Sequence, residues 1–204
     1  SKNIKNKELL KITHIISVTN TPSIKFPGIS NYVSSVLNLK NVHCINLNLG
    51  CTGYVDALIL AYDIINFNKK TKILIITADT YSKYIPIQNR SIKPLFSDGA
   101  SATLVEYKKN GFKSITRITK NISETQEDLI FKNNEITMNG PAVISLAINH
   151  VIPEIKKHSK NVDGIFLHQA GKIVSNLIKE SLGKDYFIPT NYENYGNLVS
   201  TSIP

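Results

Sequence analysis

The sequence predicts an α/β protein in which a mostly parallel sheet is covered by helices. Short apolar runs alternate with amphipathic stretches along the chain, the pattern of strand and helix in succession. A length of 204 residues with 42% hydrophobic residues is enough to bury a real core. Two stretches follow neither period: 80–97 contains Pro86 and Pro94, and 120–137 is polar and acidic, so both read as surface excursions.

Taken in order, strands are expected at 13–19 (THIISVT), 42–49 (VHCINLNL), 72–78 (KILIITA), 101–107 (SATLVEY), 112–118 and 163–168 (DGIFLH). Helices are expected at 28–38, 53–68, 141–158 and 170–182, the last with Gly183 as its C-cap. The chain carries no low-complexity block or sequence repeat, although the strand and helix patterns before 107 and after 160 read as two related halves.

Composition narrows the function classes. The net charge of +9 comes from 24 Lys and Arg, and Arg90 and Arg117 are the only arginines, leaving 22 lysines spread along the chain. The forked donors that favour phosphate and base recognition are nearly absent, which argues against nucleic acid binding. A lysine-rich surface favours an acidic protein partner or a phosphate-bearing ligand. No apolar run approaches the roughly 20 residues of a membrane span, and no signal peptide is visible, so a soluble cytoplasmic setting is expected. Cys44 and Cys51 form no CxxC pair and have no histidine at ligand spacing, so neither a metal site nor a disulfide framework is expected.

The stretch NLNLGCTGYVDALILAYDII at 46–65 places Cys51 in the turn between a strand and a long apolar helix, with Gly50 and Gly53 giving the turn its freedom. A helix N-terminus favours the thiolate and can lower a thiol pKa from about 8.5 by a unit or more. The same free N–H groups can stabilise an oxyanion, as in a nucleophile elbow with sulfur in place of oxygen. The alternative is a small residue filling a tight corner. Cys44 lies mid-strand and reads as packing.

Four stretches in order resemble the β-ketoacyl-acyl-carrier-protein synthase III family. NLGCTGYVDAL at 48–58 is similar to its active-site segment, LFSDGASATLVE at 95–106 to its glycine-rich strand–turn segment, FLHQAGKIVSNLIKESLG at 166–183 to its His-Gln-Ala motif, and NYGNLVSTSIP at 194–204 to its Tyr-Gly-Asn segment. The resemblance implies a thiolase-like fold of mixed, mostly parallel sheets with helices in layers, incomplete at both ends. Residues 1–107 would form an N-terminal half with the nucleophile, 108–160 a connecting excursion and helix, and 161–204 a C-terminal half.

Carried over residue by residue, Cys51 matches the acylated nucleophile, His168 the catalytic histidine and Asn197 the catalytic asparagine. The implied reaction transfers an acyl group from acyl-CoA to Cys51 and then condenses it with malonyl-acyl carrier protein, with loss of CO2. A neutral imidazole N–H and an amide N–H2 are suited to the enolate oxygen that develops. Phe26 corresponds to a phenylalanine of the family's dimer interface near the acyl pocket, with core packing as the alternative. Lys172 is a candidate contact for an acidic carrier protein, or an ordinary solvated lysine.

The resemblance also implies a homodimer and no cofactor beyond the CoA thioester and the carrier-linked phosphopantetheine used as substrates. Gly171 and Leu198 depart from the asparagine and threonine usual in the family, which bears on the pantetheine contacts. The segments beyond either end of this sequence would supply sheet strands, part of the CoA entrance and a loop completing the oxyanion hole. Two other readings stay open: a thiolase-fold acyltransferase using another acceptor, and a non-catalytic binding or assembly subunit.

Overall fold

The structure is a computed structural model that describes residues 11–111, 114–183 and 186–204. Its described residues divide into two compact units, one of 11–79, 99–111 and 114–119 with Pro204, the other of 80–98, 120–183 and 186–203. These units are groups of mutually packed residues and cut across the halves drawn at 107 and 160, which refer to the thiolase architecture.

The first unit is built on a four-stranded sheet in the order β2-β1-β3-β4, with β1 His14–Val18, β2 His43–Leu47, β3 Lys72–Asp79 and β4 Gly99–Glu106. β1 runs parallel to both neighbours, pairing Ile15 with Cys44 and with Leu74, whereas β4 runs antiparallel to β3. β1 and β3 are apolar on both faces because both are covered: Ile15, Ile16, Val18, Ile73, Leu74 and Ile75 are all buried. Helix α1 (Ile29–Val36) contributes Val33 to the cluster around Ile12, Ile15 and Leu74. Val18 faces the other way along the strand, toward α2 (Gly53–Phe67).

α2 buries Gly53, Tyr54, Ala57, Ala61 and Ile65, a stripe at helical spacing whose small residues admit a close approach to the sheet. The approach is closest at its first residue, where a Cβ on Gly53 would lie 2.3 Å from Val18 Cγ1 and 3.0 Å from Leu49 Cβ. Gly53 is required for packing rather than for an unusual φ, which corrects the expectation that it serves the turn's freedom.

In the second unit, α3 (Gly140–Leu146) and α4 (Ile152–His158) stand where one helix over 141–158 is expected. A π-helical turn at Ala147–Val151 separates them. Pro153 has no N–H, and its ring would clash with the carbonyl four residues back, so the helix widens before it. Asn139 caps α3 by accepting the Ala142 N–H, and Pro141 occupies the first turn. α5 (Lys172–Leu182) ends at Gly183, whose φ of 85° and N–H bond to Lys179 O fulfil the expected cap. Ile152 of α4, Ile178 of α5 and Leu167 form the core of this region.

Three expectations change. The excursion at 120–137 contains the start of a hairpin, β5 (Leu129–Lys132) and β6 (Glu135–Met138), turned by Asn133 and Asn134 at φ 53° and 60°. Both central residues left-handed is the primed turn that matches strand twist. The segment 163–168 is not a strand: it makes one bridge, Gly164 with Phe187, and Phe166 stays exposed. Of the expected strand 112–118, residues 112–113 lie outside the described residues and 114–118 are not a strand.

Replacing Gly53 by Ala is expected to destabilise the protein by about 1–3 kcal/mol through overpacking against Val18, measured as a lower denaturation midpoint. Ala at Gly140, where a Cβ would meet nothing within 4 Å, should show no such loss.

Candidate active site

Cys51 lies in the first unit, in the turn that carries the chain from β2 into α2, closed by the Gly53 N–H donating to Gly50 O at 2.9 Å. The expected strand–turn–helix corner is therefore present. The expected acidic thiol is not: burial, reinforced by the Asp79 carboxylate, pushes the Cys51 pKa up to about 11, against a smaller lowering by its own backbone N–H. Partial burial penalises the charged thiolate and the nearby carboxylate repels it, so the helix terminus is outweighed.

Asp79 was not legible as a site residue. It ends β3 almost wholly buried, and its Oδ1 accepts from Thr19 Oγ1 at 3.2 Å, the Asn20 N–H at 2.9 Å and Thr21 Oγ1 at 3.3 Å. These bonds fasten the loop after β1 at the carboxyl ends of the parallel strands. That is the end from which the turn bearing Cys51 leaves β2.

Asn46 of β2 holds a second loop in the same unit. Its Oδ1 accepts from Ser17 Oγ at 2.8 Å, Ser30 Oγ at 2.9 Å and the Ser30 N–H at 3.0 Å, while Nδ2 donates to Pro27 O at 3.3 Å. Gly28, at φ 109°, passes so close that a Cβ would lie 2.5 Å from the Asn46 side chain. The segment thus fixed carries Phe26, which is 91% exposed, so core packing is not its role. Cys44 sits half-buried mid-strand as expected.

His168 and Asn197 lie in the second unit. Both His168 ring nitrogens are buried without a hydrogen bond of good geometry. Burial lowers its pKa to about 4, opposed by the Val199 backbone. An imidazole that neutral near pH 7 is an N–H donor rather than a cation. The motif's next residue, Gln169, is buried and accepts the Asn191 N–H at 2.9 Å.

Asn197 is 3% exposed and held on both sides by backbone bonds, its N–H donating to Leu95 O and its carbonyl accepting the Ser97 N–H, each at 2.9 Å. Its side chain is equally defined: Oδ1 accepts the Val199 N–H at 2.8 Å, and Nδ2 donates to Ala170 O at 3.3 Å. Ala170 is two residues from His168, so the histidine and asparagine motifs are brought together here. Gly196, at φ 67°, must be glycine because a Cβ would meet Ser97 Oγ at 2.9 Å.

Lys172 opens α5 and is exposed, its Nζ 3.6 Å from Glu193 Oε1. It borders an open cleft of about 500 Å³ with Pro94, Ser97, Tyr192 and Tyr195. An exposed pair of this kind contributes little stability. At Gly171 a Cβ would meet nothing within 4 Å, so the space for a side chain is present. Among the described residues no cluster of three or more His, Cys, Asp or Glu could hold a metal ion, and no helix is long and apolar enough to cross a membrane.

Residues 45–120 match the family profile of 3-oxoacyl-[acyl-carrier-protein (ACP)] synthase III. A β-ketoacyl-[acyl-carrier-protein] synthase III of Staphylococcus epidermidis is 29% identical, over 97% of this chain and 67% of its own. A crystal structure of a 3-oxoacyl-(acyl-carrier-protein) synthase III superposes with a TM-score of 0.87 at 24% identity, over 95% of this chain and 68% of that one. The enzyme of the same name from Aquifex aeolicus superposes at 0.84 with 26% identity, over 96% and 67%. The chain thus spans about two thirds of the length of the relatives it matches.

Replacing Asp79 by Asn keeps an acceptor for the loop after β1 but removes the charge. The Cys51 pKa should then fall from about 11, read as a shift of the iodoacetamide alkylation profile to lower pH. The His168 ring should titrate near 4 by NMR. Because the folded imidazole binds its proton less tightly than an unfolded one, its effect on stability is absent above about pH 6.5 and grows as pH falls toward 4. His168→Phe should flatten that part of the stability profile.

Proposed function

We propose that the chain is a thiolase-fold condensing enzyme of the 3-oxoacyl-[acyl-carrier-protein] synthase III type, which it resembles over residues 45–120 and in its relatives, and that it is an acyltransferase performing that family's decarboxylative condensation. The observation that most supports this reading is chemical. A buried neutral imidazole with unpartnered ring nitrogens stands next in the fold to an asparagine amide whose oxygen is engaged and whose nitrogen is a donor. The assignment of 1–107 and 161–204 to two thiolase halves belongs to this reading.

In the first half-reaction Cys51 Sγ attacks the carbonyl of an acyl-CoA. Because the resting group is a thiol, its proton must leave as sulfur attacks, and the departing CoA thiolate is the base that finally takes it. The thioester bond to CoA breaks, one to Cys51 forms, and CoA leaves as the free thiol. In the second, a malonyl thioester on acyl carrier protein loses CO2. The enolate oxygen is stabilised by N–H donors of His168 and Asn197. The carbanion attacks the acyl-Cys51 carbonyl, the thiolate is expelled and recovers a proton, and a β-ketoacyl thioester is released.

No cofactor is required beyond the phosphopantetheine arms of the two substrates. On this reading the enzyme works in the cytoplasm as a homodimer with no nucleic acid or membrane partner. Phe26 stands exposed for a subunit contact, Lys172 for the acidic carrier protein, and Gly171 for the pantetheine arm.

Incubation with short acyl-CoA thioesters should add one acyl group to the intact mass, and Cys51→Ala should abolish the gain. His168→Ala and Asn197→Ala should retain acylation but lose release of 14CO2 from malonyl thioester by on the order of a hundred-fold, the usual loss when one such donor is removed. Acylation without CO2 release in the unaltered protein would favour transfer to another acceptor. No acylation of a folded sample would favour a binding subunit.

A further inference from the structure

Five of the six non-glycine residues with positive φ among those described are asparagines, the residue type that tolerates this conformation best. The sixth is Val199, at φ 53°. A β-branched residue there is a genuine outlier, and such strain persists only where the surroundings over-determine it. The Val199 side chain is 1% exposed and so anchors the backbone in the core.

The Val199 N–H donates to Asn197 Oδ1 at 2.8 Å, which fixes the flip of the amide and leaves Nδ2 as donor. Nδ2 in turn donates to Ala170 O at 3.3 Å, two residues from His168. The strained residue thus sets which end of the amide faces the histidine motif.

We propose that Val199 is a positioning residue, held in a strained left-handed conformation so that its backbone N–H braces the Asn197 amide beside the histidine motif. The inference rests on the reading of Asn197 as an enolate donor. Its direct signature, however, is a hydrogen bond that can be measured without any reaction.

Hydrogen exchange by NMR on the full chain tests it. The Val199 backbone amide should be protected, and Asn197→Ala should speed its exchange several-fold. Val199→Gly, which keeps the N–H and eases the strain but removes the anchor, should speed exchange of the Asn197 side-chain amide. It should also slow CO2 release by on the order of ten-fold or more, as displacement of a positioned group does, while Cys51 acylation stays unchanged. Val199→Ile, which retains the branched anchor, should restore both. An unprotected Val199 amide in the unaltered protein overturns the proposal, and so does a folded Val199→Gly variant with normal CO2 release. If the exchange signatures hold but Asn197→Ala releases CO2 normally, the brace stands and the assigned role of Asn197 fails.

Discussion

The contact between Gly53 and Val18 is the constraint on which the first unit depends. A helix that starts against a parallel sheet with no room for a single Cβ fixes where the chain leaves β2, and so fixes the turn that carries Cys51. Ala57 and Ala61 continue the same close approach along α2. The thiol is therefore placed by the packing of side chains that have no chemistry of their own.

Burial then decides the electrostatics in both units, with opposite arithmetic sign and the same physical meaning. It raises the thiol of Cys51 and lowers the imidazole of His168, because excluding water penalises whichever form is charged. A neutral imidazole is what donation to an enolate needs. A neutral thiol must instead couple its attack to loss of a proton. The helix terminus that would favour the thiolate is present, but it contributes partial charges that a full carboxylate at Asp79 and the loss of solvent overcome.

Much of the architecture was legible. Strands at 13–19, 42–49 and 72–78 were readable from apolar runs, and the α2 and α5 helices from their periodicity and from Gly183. The hairpin at Leu129–Met138 was not, because the polar composition around it masked the Asn133–Asn134 turn signal. The break at Ala147–Val151 was available in Pro153 but outweighed by the continuous apolar pattern. DGIFLH has the residues of a strand yet meets a partner at one position, and pairing is not a property of a segment alone.

The sequence by itself determined the order of the motifs, the α/β class and the candidacy of Cys51, His168 and Asn197, since residue type and local spacing are written along the chain. Only the tertiary structure decided that the thiol is protonated at rest, that Asp79 lies near it and that Asn46 holds the loop bearing Phe26. It also decided that the Asn197 amide reaches Ala170 of the histidine motif. Each of these follows from groups distant in sequence meeting in the fold. Neither the identity of those neighbours nor the loss of solvent can be read from local pattern.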